Sequence, residues 1–324
     1  MGHPSIVVIG SSNTDMIIRL KHLPRAGETV LGGEFMSAAG GKGANQAVAA
    51  ARAGGKVGLI ACLGRDSWGD QALSGFVKDG VDVRHVSRHA YAASGAALIL
   101  VSRNGENSIA VASGANDCLS PEHVRQAHAV IAQAQVLLMQ LEIPLEAVEV
   151  AARLAIPSKT HVILNPAPAR PLPDRLLRRV SILTPNELEA ESLTGIKVKD
   201  AREAVRAAEQ LRRRGVEIVI VTMGARGAVI SHREGTEIVR GFKVRALDTT
   251  AAGDVFNGAL AVALTKGQKV RDAVRFANAA AALSVTCVGA QPSAPSRSAI
   301  EKFIKAHSGS RGKVHWKSRA APTK

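Results

Sequence analysis

Residues 5–10 read Ser-Ile-Val-Val-Ile-Gly, a short apolar run closed by glycine. Such a run suits a strand covered on both faces. Similar runs recur at 57–62, 136–141, 161–164, 180–183 and 218–222. Helical patterns lie between many of them, such as AREAVRAAEQLRRR at 201–214. Buried strands alternating with helices predict an α/β fold, a largely parallel central sheet flanked by helices. Two regions break the rhythm. Residues 15–36 carry short β-like runs, and 96–112 read as a hairpin around Asn104-Gly105, both of which tolerate positive φ. These two regions are expected to form a small accessory sheet of antiparallel strands.

Composition bounds the function. The chain has 324 residues, 46% of them apolar and 21% charged, which suits a sizeable globular core and excludes global disorder. Aromatic residues make up only 3%, while alanine and glycine abound, so elements are expected to pack closely through small side chains. The stretch 276–296 is uncharged, but Asn278, Gly289, Gln291, Pro292 and Pro295 interrupt it, so no membrane span is expected. Three cysteines form no CxxC pair, and a reducing, cytoplasmic setting is the expectation. The net charge is +15, of which Arg311, Lys313, Lys317, Arg319 and Lys324 supply five in a Ser/Gly-rich segment at 308–324, expected to be a mobile basic tail. A basic surface suits anionic ligands from nucleotides to nucleic acid. Scarce aromatics and the lack of a nucleic-acid motif argue against the latter. His85 and His89 stand at i,i+4 with no third ligand in view and read as surface histidines rather than a zinc site.

Open parallel sheets bind ligands beyond the C-terminal ends of their strands. Here those ends carry polar residues repeatedly: Asn13 and Asp15, Gln140 and Glu142, Asn165, Thr184 and Asn186, and Thr222 with Gly224. Each is ordinary turn chemistry alone; five strands ending this way mark that edge as a site. Three glycine-rich segments add to it. Gly40-Gly41-Lys42-Gly43-Ala44-Asn45 precedes a small-residue helix; it reads as a ligand cradle or as a tight strand–helix turn, and it lacks the hydroxyl of a Walker A loop. Asp248-Thr249-Thr250-Ala251-Ala252-Gly253-Asp254 precedes a helix, so 251–254 should form its first turn, with unpaired N–H groups open to an anion. Asp254 there reads as a helix cap or as a base for an incoming hydroxyl. Residues 222–227 read as a glycine turn lining a nucleotide or as a plain hairpin connection.

The segments GGKGANQAVAAARAGG (40–55) and DTTAAGDVFNGA (248–259) resemble the two signatures of the ribokinase, or phosphofructokinase-B-type, carbohydrate kinases. GSSNTD (10–15), AGETV (26–30), LLMQLEIPLE (137–146), NPAPA (165–169), TPNELEAESLTG (184–195) and GAQPS (289–293) extend the likeness over about 5–305. The resemblance implies one kinase domain over 1–307, with the accessory strands (within 13–38 and 92–112) as a β lid that covers the sugar and makes a homodimer. It implies ATP-dependent phosphorylation of a sugar, with Asp254 as base and the N–H groups of Ala251, Ala252 and Gly253 as anion hole. Asn13, Thr14, Asp15, Gly41, Lys42, Gly43, Ala44, Asn45 and Glu142 would hold the sugar. Asn186, Thr222, Met223, Gly224, Ala225, Arg226, Gly227 and Asn278, with Gly253 and Asp254, would line the ATP site. Glu189 would organise Mg²⁺ and phosphate through water. A monovalent cation, K⁺, would sit near Asp248, Thr250, Ser284, Cys287, Gly289 and Ser293. Among family substrates ribose is favoured, phosphorylated at its 5-hydroxyl: the Asn13 amide suits a 2-hydroxyl, where deoxyribose kinases tend to be apolar, and Glu142 suits a small free pentose. Deoxyribose, fructose and adenosine are the alternatives, and a non-catalytic sugar sensor is a further one. The basic tail and the high body charge have no counterpart in the family pattern.

Overall fold

A computed structural model describes residues 2–307; the basic tail expected at 308–324 lies outside the described residues. The six apolar runs form the centre of a nine-stranded sheet. Its elements are β1 (Ile6–Ile9), β4 (Val57–Gly64), β5 (Asp82–His89), β8 (Val136–Met139), β9 (His161–Leu164), β10 (Ile182–Leu183), β11 (Ile218–Thr222), β12 (Ala228–His232) and β13 (Gly235–Val239), numbered in chain order together with the four strands below. From edge to edge the order is β13-β12-β11-β10-β9-β8-β1-β4-β5. The run from β11 to β5 is parallel, and β12 and β13 add antiparallel at one edge.

The central strands are apolar because both faces are covered, whereas the edge strands β5 and β13 are more polar and only partly buried. Along β1, Val7 and Ile9 enter one core, with Leu137, Met139 and helices Leu145–Ala155 and Ala201–Arg213. Ile6 and Val8 enter the other, with helices Lys42–Arg52, Ala252–Thr265 and Val270–Ser284. Small residues let the helices of this second layer close up. A Cβ on Gly258 would lie 2.7 Å from the Gln46 carbonyl oxygen and 2.8 Å from the Ala50 nitrogen.

The accessory sheet has the order β3-β2-β6-β7, with β2 (Asn13–Leu20), β3 (Glu34–Gly40), β6 (Gly95–Ser102) and β7 (Asn107–Ala112). The two pairs β2/β3 and β6/β7 are antiparallel, as expected, and β2 joins β6 at the centre in parallel register. Of the hairpin's turn residues only Gly105 takes positive φ, at 88°. Asn104 instead receives the Ser102 hydroxyl and the Glu106 N–H on its side-chain oxygen, an Asx-type turn. Two polar clasps fix the sheet to the body. The Asp66 carboxylate accepts from the N–H (2.7 Å) and hydroxyl (2.7 Å) of Ser94, just before β6. The Asn116 amide accepts from the Ser12 N–H (2.9 Å) and donates to the Asn13 side chain (2.8 Å).

Candidate active site

The polar strand ends converge at one edge of the large sheet, beneath the accessory sheet. The first glycine segment makes the floor. Gly41, at φ 86°, caps helix Lys42–Arg52, a conformation that L side chains rarely adopt. A Cβ on Gly43 would lie 2.5 Å from the Gly10 carbonyl carbon, and one on Gly40 would strike the Asp15 carboxylate at 2.3 Å. These glycines therefore serve a tight strand–helix junction, which presents the side chains of Lys42 and Asn45. The Glu142 carboxylate stitches that junction together, accepting from the Ser11 hydroxyl (2.6 Å) and the Lys42 N–H (3.0 Å).

The second segment differs from expectation by one residue. The helix begins at Ala252, and Ala251 precedes it as a left-handed cap at φ 59°, a strained backbone for alanine of the kind found at functional sites. The Ala252 N–H reaches the Thr249 carbonyl at 3.3 Å. Among the described residues the N–H groups of Ala251 and Gly253 have no protein acceptor, and a Cβ on Gly253 would meet nothing within 4 Å. The helix start thus faces open space with donors available, the condition for anion binding.

Asp254 sits in that first turn at 5% exposure. Its carboxylate does not cap the helix; it accepts from Asn45 Nδ2 (3.0 Å) and Gln46 Nε2 (2.9 Å) across the helix–helix contact. Burial pushes its pKa up, while Lys42 and the two amides pull it back. A carboxylate so balanced is an available general base. Burial likewise raises Asp15, to about 6, helped by the charges of Glu142 and Asp254. Burial would lower Lys42, but Asp254, Glu142, Glu189 and Asp15 outweigh it and keep the ammonium charged. Asn13 and Asp15 share one face of β2; Thr14 between them lies on the other by strand alternation.

On the opposite side, Asn186 and Thr222 meet in an isolated parallel bridge, and Asn186 forms a capping box with Glu189, whose oxygens accept from the Asn186 N–H and Nδ2 at 2.9 Å each. Burial raises Glu189. Residues 222–227 do join two antiparallel strands, through the short turn Gly224–Arg226. The Gly227 position is pressed against the Val239 carbonyl, which Asn278 Nδ2 also approaches at 3.4 Å. The Arg226 guanidinium is taken up by Glu187 and the Lys199 carbonyl. Elsewhere, Asp248 holds two loops face to face, accepting from the N–H groups of Thr250 (2.9 Å) and Gly289 (2.8 Å). The Cys287 N–H reaches the Ser284 carbonyl at 3.0 Å, and Ser293 donates to the Ala290 carbonyl at 2.7 Å.

Sequence reading missed Ser11, Gln46, Asn116 and Asn257, although Gln140, Asn165 and Thr184 were noted. Gln46 and Asn257 are buried polar residues next to Asn45 and three residues after Asp254, respectively, on helices whose other buried residues are small or apolar, and that placement was the available signal. His85 and His89 lie on strand β5, where four residues span about 13 Å. No cluster of three metal-ligating side chains occurs among the described residues.

A buried carboxylate beneath an open helix N-terminus, at the C-terminal edge of a parallel sheet and beneath a small accessory sheet, is an arrangement suited to group transfer onto a hydroxyl. The chain belongs to the pfkB family of carbohydrate kinases, whose model matches residues 3–297. It is 47% identical over 301 residues to a ribokinase of Haemophilus influenzae, covering 93% of this chain and 98% of that protein. It is 42% identical over 302 residues to a ribokinase of Schizosaccharomyces pombe, covering 90% and 95%. The Arabidopsis thaliana ribokinase structure complexed with ribose and ATP superposes with a TM-score of 0.86 at 31% identity, over 94% of this chain and 99% of that one.

Proposed function

We propose that this chain transfers the γ-phosphoryl group of ATP to the 5-hydroxyl of D-ribose. The observation that carries this reading is Asp254, buried and amide-held, beside the unpaired N–H groups of Ala251 and Gly253. The hydroxyl proton passes to the Asp254 carboxylate as the new O–P bond forms and the bond to ADP breaks, a contribution of about 10²–10⁴-fold. The helix start meets the charge of the transferring phosphoryl group, and Lys42 adds a cation. Asn13, Asp15, Asn45 and Glu142 supply the donors and acceptors that sugar hydroxyls require. The nucleotide lies along Asn186, Thr222–Gly227 and Asn278.

Two ions belong to this reading. Glu189 keeps a free lone pair on each oxygen, which suits Mg²⁺ held through water; bound Mg²⁺ neutralises phosphate charge. Asp248, Thr250 and Ser293, with the backbone carbonyls of Ser284, Cys287 and Gly289, would supply the oxygen donors that suit K⁺. The accessory sheet serves as lid and dimer surface. Its face away from Asn13 carries Phe35 at 66% and Leu98 at 55% exposure, in register with Ile18 and Met16. No described helix is long and apolar enough to cross a membrane, and the cytoplasm is the proposed setting. The test is ADP release with ATP, Mg²⁺ and K⁺ against ribose, 2-deoxyribose, fructose and adenosine. Turnover on ribose alone is expected; preference for 2-deoxyribose would overturn the role given to Asn13.

A further inference from the structure

Behind Asp254 runs a chain of buried amides that no substrate would touch. Gln46 is fully buried. Its Nε2 donates to Asp254 Oδ1 at 2.9 Å and to Asn165 Oδ1 at 3.2 Å. Its Oε1 accepts from Gln140 Nε2 at 2.6 Å. Asn165, in turn, donates from Nδ2 to the Thr184 backbone carbonyl at 3.2 Å. That carbonyl can only accept, so it fixes which way Asn165 faces. Asn165 then presents its oxygen to Gln46, and Gln46 must present N–H groups to Asp254. The same Thr184 sends its hydroxyl to Asn257 Oδ1 at 2.7 Å, and Asn257 Nδ2 donates to the Gly253 carbonyl at 2.8 Å. One strand end therefore orients both the base and the helix turn beside it.

We infer that Gln46 is a positioning residue for the phosphoryl transfer: held by Asn165, Thr184 and Gln140, it fixes the orientation of the Asp254 carboxylate and keeps it ionised. Asn45, the other donor to Asp254, is also placed to hold sugar, so its hydrogen bond is shared with substrate. Gln46 is not so shared and acts on Asp254 alone. The charged groups facing Asp254 are Lys42 on the neighbouring helix, Glu142 after β8, Asp15 on β2 and Glu189 on the helix after β10. Three of these four are acids that disfavour the ionised base, and Lys42 alone opposes them by charge. A neutral donor at position 46 supports ionisation without adding a charge that would bind phosphate unproductively.

The inference rests on Asp254 being the base, and the experiment separates the two. Gln46→Met preserves volume and removes the donor. Ribose binding by calorimetry reports an intact site, and single-turnover ADP formation is followed against pH. The expected result is near-normal ribose affinity, a rate lowered about 10- to 100-fold at neutral pH, and an acid limb shifted up by about one pH unit. Asn165→Ser frees Gln46 without removing it and should shift the limb the same way by less, which keeps the test usable if Gln46→Met does not fold. Wild-type rate and limb in a folded variant would overturn the inference. Asp254→Asn is measured alongside: if it alone is inactive, only the role of Gln46 fails, and if it too turns over normally, the base assignment fails.

Discussion

The two glycine-rich segments look alike in the sequence and do opposite things. Gly43 is pressed into protein, with the Gly10 backbone 2.5–2.6 Å from where its Cβ would be. Gly253 has nothing within 4 Å of the same point. The first segment is glycine-rich so that a helix can seat against β1 and carry Lys42, Asn45 and Gln46 to the site. The second is small so that the helix start stays open to an anion. Glycine in a sequence reports that something comes close; only the fold says whether it is the protein itself or a ligand.

Substitution by alanine should split the pair. Gly43→Ala is expected to cost about 3 kcal/mol, because its neighbours are backbone and cannot yield; chemical denaturation measures it, and an unchanged midpoint would break the contrast. Gly253→Ala should leave stability level or raise it by about 0.5 kcal/mol, while kcat falls by about 100-fold, because the added methyl enters the space left open for the anion although the N–H itself is kept, an obstruction on the scale of losing one anion-hole donor. Loss of stability without loss of kcat would reverse the assignment. Gly258→Ala probes the helix contact that joins the two segments and should cost about 2 kcal/mol, with turnover falling further than ribose binding because Asn45 and Gln46 are displaced from Asp254.

The smallest effect concerns strand β2 of the accessory sheet. Asp15 has a folded pKa of about 6 against an ordinary 3.8, so the folded state takes up its proton first. Its ionisation therefore opposes folding above about pH 6, and that penalty is relieved as the pH falls through 6 towards 3.8. Asp15→Asn should raise the sugar-free Tm by a few degrees at pH 8, with the gain shrinking by pH 5, while the ribose KM rises. An equal Tm gain at both pH values would show that ionisation is not the cause.

The centre of the large sheet was legible because both-face burial leaves unbroken apolar runs, and the hairpin at 96–112 because its turn residues are distinctive; edge strand β5, polar and half-buried, was not. The parallel β2–β6 pairing was not, since it joins strands far apart in sequence with no local mark. Asp254, Asn45 and Lys42 were legible from motif; Gln46 and Asn257 were not, because a buried amide inside an alanine-rich helix resembles a surface residue until the helix's neighbours are known. Ala251 shows the same limit: nothing in Asp-Thr-Thr-Ala-Ala-Gly-Asp says which alanine takes φ 59°.

The most direct measurement is single-turnover ADP formation by Asp254→Asn with saturating ATP and ribose, with ribose binding and thermal unfolding as controls. The expected result is a folded, ribose-binding protein whose rate has fallen by about 10³-fold. A folded variant with a near-normal rate would contradict the account, since among the described residues Asp254 is the acidic side chain in that helix's first turn.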